Sequence, residues 1–186
     1  MKRIIWLLLI ILGLMVAVGG CARWTNGNGG TENYQLEITV EVAGEINTYD
    51  GIYYIVLDAD GNPANGPGDD VKFWEGDFYY VKLDGMGFYF SRVEEGTGSI
   101  SLTDSSYSEN KLHVTIAISD LGDPKSIDIN VVTIDSGNYT YDSLDSYFSI
   151  STVFGFPKDI SDSEGDSGEG GADFDIVKVT TEITIL

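Results

Sequence analysis

"YQLEITVEVA", residues 34–43, decides the fold. Leu36, Ile38, Val40 and Val42 alternate with Glu37, Thr39 and Glu41. Successive side chains of an extended chain point to opposite faces, so this stretch is a strand with one apolar and one polar side. A helix would repeat its apolar residues every three or four positions, and no segment of ten or more residues in this chain does so.

The same reading extends outward in both directions. "GIYYIVLD" (51–58) is apolar on both faces and is expected to be a central strand. "DVKFWEG" (70–76), "DFYYVKLDG" (77–85) and "MGFYFSRV" (86–93) follow as strands, with Asp84-Gly85 as a hairpin turn between the last two. "GSISLTD" (98–104) reads as a short alternating strand, and "KLHVTIAI" (111–118) turns Leu112, Val114, Ile116 and Ile118 inward. Ser119, Asp120, Leu121 and Gly122 predict one short helical turn capped by Ser119. "SIDINVVTID" (126–135) places Ile127, Ile129, Val131 and Thr133 on one face, and "SYFSIST" (146–152) and "FDIVKVTTEITIL" (174–186) complete the set. Nine or ten strands with frequent turn signals predict an all-β fold, an antiparallel β-sandwich of jelly-roll or immunoglobulin-like type, as a single domain over residues 34–186. "DISDSEGDSGEGGAD" (159–173) joins the last two strands and reads as a solvated, mobile acidic insertion, with loose calcium binding as the alternative.

The chain begins "MKRIIWLLLIILGLMVAVGGCA". Lys2 and Arg3 precede an uncharged apolar run over residues 4–18, and small residues lead to Cys21. This is the layout of a secretory signal. The small residues before the cysteine resemble a bacterial lipobox, with cleavage before Cys21 and lipid on its sulfur. Residues 1–20 are therefore expected to be a lipoprotein signal peptide, and residues 21–33 the lipidated cysteine and a Gly- and Asn-rich tether. A membrane-spanning anchor is the competing reading, but the run is short of the roughly 20 residues that spanning takes. Cys21 is the only cysteine, so the monomer forms no disulfide. The expected address is outside the cytoplasm, on the cell membrane or the outer membrane. The chain carries a formal net charge of −20, and loss of Lys2 and Arg3 with the signal makes it more negative still. Such a surface repels nucleic acid and favours cations, neutral ligands or basic partners.

"LDADGNPANGPGDD" (57–70) spaces Asp58, Asp60 and Asn62 as a calcium loop does, with Asp69 at the twelfth position counted from Asp58. Pro63 stands where an EF-hand needs glycine, and strands rather than helices flank it, so an EF-hand is excluded. A calcium-bound hairpin loop with ligands Asp58, Asp60, Asn62 and Asp69 competes with a solvated turn. Ten aromatic residues, from Tyr53 to Phe90, crowd the strands on both sides of this loop, and alternation must turn part of them outward. Trp74, Tyr79, Tyr80 and Tyr89 are the candidates for a platform on which sugar rings stack. Coverage of both faces is the competing reading. His113 is the only histidine, no GxSxG stretch is present, and zinc would need more His or Cys. No catalytic activity is expected.

"KLHVTIAISDLGDPKSIDINVVTID" resembles the penultimate part of DOMON-like domains, a group that includes carbohydrate-binding module family 9. There an alternating strand ends in a small Leu-Gly turn and the next strand follows at once. Ile116, Ile118, Leu121, Gly122, Ile127 and Val131 occupy those positions here. "YYIVLDADGNPANGP" is similar to the family's apolar strand running into an Asp-rich turn, and the resemblance spans about residues 50–145. It implies a sandwich that binds sugar or haem at its edge or concave face. His113 stands without the Met/His pairing that haem needs, and Trp74 is the only tryptophan in the domain, so no Trp pair clamps a sugar. The functional expectation is a lipid-anchored binding module for carbohydrate, stabilised by calcium. The alternative is a structural or protein-interaction lipoprotein of the cell envelope.

Overall fold

The alternating stretch becomes the middle strand of a sheet. In the computed structural model, which describes residues 33–94, 99–153, 156–163 and 165–185, β1 (Tyr34–Val42) lies between two antiparallel partners. The signal segment, Cys21 and the tether through residue 32 lie outside the described residues. β1 pairs with β11 (Ile176–Ile185) on one side and β6 (Lys111–Ala117) on the other. β10 (Lys158–Ser161) and β5 (Asp104–Ser108) close the two edges of this first sheet. The second sheet runs β4 (Gly87–Arg92), β3 (Tyr79–Asp84), β2 (Ile52–Asp58), β7 (Ser126–Ile134), β8 (Thr140–Ser143), with β9 (Phe148–Ser151) also paired to β7. All pairings are antiparallel, and the two sheets make a single all-β domain, a β-sandwich.

The core sits between the sheets. Leu36, Ile38, Val40 and Val42 of β1 are completely buried, as are Val114 and Ile116 of β6. From the second sheet they meet Tyr53, Ile55 and Leu57 of β2 and Ile127, Ile129 and Val131 of β7. Burying a side chain of this kind is worth about 1.5–3 kcal/mol, so the row on β1 alone outweighs any single surface interaction in the molecule. Thr133 completes the inward face of β7, and its hydroxyl donates to the Phe174 carbonyl at 2.8 Å. That bond joins the second sheet to the turn that starts β11.

Several local expectations change. "DVKFWEG" is not a strand: Asp70 accepts from the Lys72 N–H at 2.9 Å and caps a 3₁₀ turn, Val71–Phe73. An aspartate that bonds its own backbone two residues on competes with sheet formation. "GSISLTD" contributes a bridge from Ile100 to Phe90, and the strand starts only at its last residue, Asp104, and runs through the polar "DSSYS" of β5. β8 and β10 also form where the apolar pattern is weak, each held by a single neighbouring strand. β10 occupies the first part of the acidic insertion, and two short 3₁₀ turns, Gly168–Gly170 and Ala172–Phe174, occupy its end. Ile118–Leu121 is the expected helical turn, a 3₁₀ turn closed by Gly122 at φ 83°, but Ser119 does not cap it.

Candidate functional site

The outer face of the second sheet carries the expected site residues. β2, β3 and β7 send Tyr54, Val56, Asp58, Tyr80, Lys82, Asn130 and Val132 to this side, by the alternation that sends Tyr53, Ile55, Leu57, Val81 and Val131 to the core. Val56 and Val132 are fully buried yet do not belong to the core cluster between the sheets. The connection over residues 59–78 covers them. Its Pro67 carbonyl accepts from Asn130 Nδ2 at 3.0 Å, its Asp69 carbonyl from the Thr140 hydroxyl at 3.2 Å, and its Pro63 carbonyl from the Tyr147 hydroxyl at 3.0 Å. Gly66 lies so close to the Tyr147 ring that a Cβ there would come within 2.4 Å of it. The connection is a lid over half a sheet, fixed by backbone carbonyls.

The other half of that face is an aromatic strip. Tyr54 on β2 meets Trp74 edge-on at 5.3 Å between ring centres, and meets Tyr80 on β3 at 5.8 Å. Tyr80 meets Tyr89 on β4 at 6.0 Å, and Lys82 Nζ lies 5.6 Å from the Tyr89 ring while pairing with Asp84 at 2.8 Å. The Trp74 indole N–H donates to the Gly68 carbonyl at 2.9 Å, which fixes the ring against the lid. All four rings are half-buried. Burial pushes the Tyr54 hydroxyl up to about 12, with Tyr80 and Asp84 adding to the effect. The hydroxyl therefore stays neutral and able to donate at any physiological pH. Tyr79, expected in the same row, lies on the opposite side of β3, where its ring meets Phe90 at 6.1 Å under Arg92. Tyr54, which the sequence reading passed over, takes its place. The signal was present: Tyr54 has the phase of Tyr80 once β2 is paired with β3.

The oxygens of the 58–62 stretch are used locally. Asp58 Oδ1 accepts from the Asp60 N–H at 2.9 Å, Asp60 from the Asn62 N–H, and Asn62 from the Ala64 N–H at 3.3 Å. These are consecutive Asx turns. Asp58, Asp60 and Asp69 do not form a three-carboxylate group; Asp69 contributes its carbonyl to Thr140 instead. Asp58 is met by a different residue, Asp128, its antiparallel partner on β7. Both are buried, and Asp58 Oδ2 and Asp128 Oδ1 have no hydrogen-bond partner. Burial, and the charges of Asp60, Asp128 and Asp77, push the Asp58 carboxyl up to about 6 against the opposing pull of the Asp60 N–H.

Carboxylates converge elsewhere. Asp142, Asp166 and Asp175 bring oxygens within 4.8 Å of one another, and so do Asp145, Asp162 and Asp166. Asp145 also lines a cleft of about 510 Å³ between the lid and the β8–β9 connection, with Asn130, Gly68 and Tyr147 on its walls. His113, on the outer face of the first sheet, lies between the hydroxyls of Thr39 at 3.0 Å and Thr115 at 3.3 Å. Its ring nitrogens are thus both engaged by threonine hydroxyls on a half-buried stretch of β6. Among the described residues, no helix is long and apolar enough to cross a membrane.

The fold and site define a class: an antiparallel β-sandwich with one outer face half lidded and half aromatic. Comparison with known proteins finds no matching family model, no similar curated protein and no similar solved structure.

Proposed function

We propose that this chain is a lipid-anchored, extracytoplasmic binding module for carbohydrate, and not an enzyme. The observation that carries the reading is the strip Trp74–Tyr54–Tyr80–Tyr89 on the solvent side of the second sheet. Aromatic faces stack on the C–H faces of sugar rings, and their hydroxyls and the nearby Lys82–Asp84 pair supply polar contacts at the margin. The strongly acidic surface suits a neutral ligand better than an anionic one. The N-terminal sequence through Cys21 supports export and lipid attachment, and the DOMON-like resemblance is part of the same proposal.

The test is affinity electrophoresis of the protein through gels containing neutral polysaccharides. Retardation is expected in at least one, and Trp74→Ala should weaken it about tenfold, equivalent to 1.4 kcal/mol. Unchanged retardation in Trp74→Ala and Tyr80→Ala would remove the strip from the site.

A second reading, protein interaction at the envelope, is favoured by a different place. Tyr49 and Met86 are almost fully exposed beside a cleft of about 340 Å³ that also includes Ile52. Exposed apolar side chains of that size are anchors for protein partners. Stable complexes from membrane extracts that survive excess sugar, and that Met86→Ala disrupts, would favour it.

A further inference from the structure

Asp175 is 2 % exposed, and its Oδ1 has no hydrogen-bond partner. A buried carboxylate oxygen left unpaired costs free energy that a folded chain recovers with a cation or by holding a proton. The three ion pairs among the described residues are Lys82–Asp84, Lys111–Glu41 and Lys178–Asp159, and none reaches Asp175. More negative charge surrounds it instead. Asp142 is also buried, and its two oxygens accept from the N–H groups of Ser143 at 2.8 Å and Ile176 at 2.7 Å. Asp166 completes a group of three, and through Asp166 the group continues to Asp145 and to Asp162, whose Oδ2 is likewise buried and unpartnered.

The architecture brings these residues together from four places. Asp142 lies within β8, Asp145 lies in the β8–β9 connection, and Asp162 follows β10. Asp166 belongs to the turn that Gly165 makes at φ 93°, and the Gly165 N–H donates to Asp175 Oδ2 at 2.7 Å. This bond folds the acidic insertion back onto Asp175 and leaves Oδ1 free.

We propose that Asp142, Asp166 and Asp175 hold a hard divalent cation of the calcium type, with Asp145 and Asp162 extending the shell on its outer side. The donor set is oxygen alone, which suits calcium or magnesium rather than zinc or copper. Oxygens on opposite sides of a calcium ion at about 2.4 Å are about 4.8 Å apart, so the observed spacing accommodates one ion. Calcium tolerates an irregular shell of six to eight oxygens, whereas magnesium demands a near-octahedral one. The carboxylates come from strand ends and an irregular turn, an arrangement without octahedral regularity. The ion ties the second sheet, through Asp142, to the start of β11 in the first. It also borders the cleft through Asp145.

The experiment uses the full chain, stripped with a chelator and dialysed, then melted with calcium chloride or magnesium chloride alone. At a calcium concentration a hundredfold over Kd, the melting temperature should rise by about 5–10 °C. Magnesium at the same concentration should raise it by much less. Asp166→Asn, at an exposed position, should fold normally and lose most of the calcium-dependent rise. Asp175→Asn keeps an acceptor for Gly165 and should lose the rise as well. If Asp175→Asn does not fold, Asp166→Asn and calorimetric titration with calcium decide alone. The Asp58→Asn protein should keep the full rise. The proposal is overturned if calcium neither shifts the melt nor gives heat of binding. It is also overturned if Asp166→Asn responds to calcium like the unaltered chain, or if Asp58→Asn is the substitution that abolishes the response.

Discussion

The two outer faces of this sandwich are built on opposite principles. The outer face of the first sheet is a ladder of Thr39, Thr115 and Thr180 with Glu37, Glu41, Lys111 and Lys178 around them. Thr39 and Thr180 are partly exposed and Thr115 is buried among its neighbours, and Lys111–Glu41 at 3.1 Å is a largely solvent-exposed pair of small worth. The outer face of the second sheet carries Tyr54, Val56, Tyr80 and Val132, and half of it is lidded. A polar face is finished when the sheet forms, whereas an apolar face needs a cover, and where the cover stops an aromatic edge remains open to a ligand.

Substitution of the covered residues has the largest expected effect. Val132→Asp would bury an unpaired carboxylate beneath the lid and should cost about 4 kcal/mol or more. Glu182→Ala, on the outer face of the first sheet, should change stability by less than about 0.5 kcal/mol. Urea denaturation of both variants gives the two values. Equal effects would mean that the lid does not seal the second face.

A smaller effect comes from the buried pair Asp58 and Asp128 under the same lid. The folded protein holds the Asp58 proton more tightly than the unfolded chain, about 6 against 3.8. Its contribution is therefore full below about pH 4 and is lost as pH rises through about 6. The loss amounts to roughly 3 kcal/mol, at 1.36 kcal/mol per unit. In calcium-free buffer, Asp58→Asn should stabilise the protein at pH 7 and lose that advantage near pH 4. Thermal melts from pH 4 to pH 7 check this, and a stabilisation independent of pH would contradict it.

The smallest effect sharpens the open edge of the strip. Tyr89→Ala should weaken polysaccharide binding by about 3- to 10-fold, less than Trp74→Ala, because Tyr89 meets only Tyr80 in the strip and lies at the far end. Thr39→Ala on the other sheet should leave binding unchanged. Binding isotherms on the same polysaccharide compare them.

Much of the fold was legible before any coordinates. The period-two stretches of β1, β6 and β7 specify their own core faces, because one wrong register would expose four large apolar side chains at once. The weakly patterned strands β5, β8 and β10 were not legible. Their residues are polar, and they are strands because a neighbouring strand offers its backbone groups. The acidic insertion misled for a related reason. Its composition is that of a solvated run, yet Asp162 and Asp166 meet Asp142, Asp145 and Asp175, residues from other parts of the chain. The loop with calcium-like spacing instead spends its side chains on its own backbone.

Strand periodicity, the sandwich class, the excess of negative charge and the pattern at Cys21 can be read along the chain, since each is a property of neighbouring residues. That Tyr54 rather than Tyr79 completes the aromatic strip, that Asp58 faces Asp128, and that five aspartates share one corner follows from the folded arrangement alone. Those are consequences of pairing register and chain crossing, which place residues far apart in sequence, such as Asp58 and Asp128, against each other. A local pattern carries no record of them.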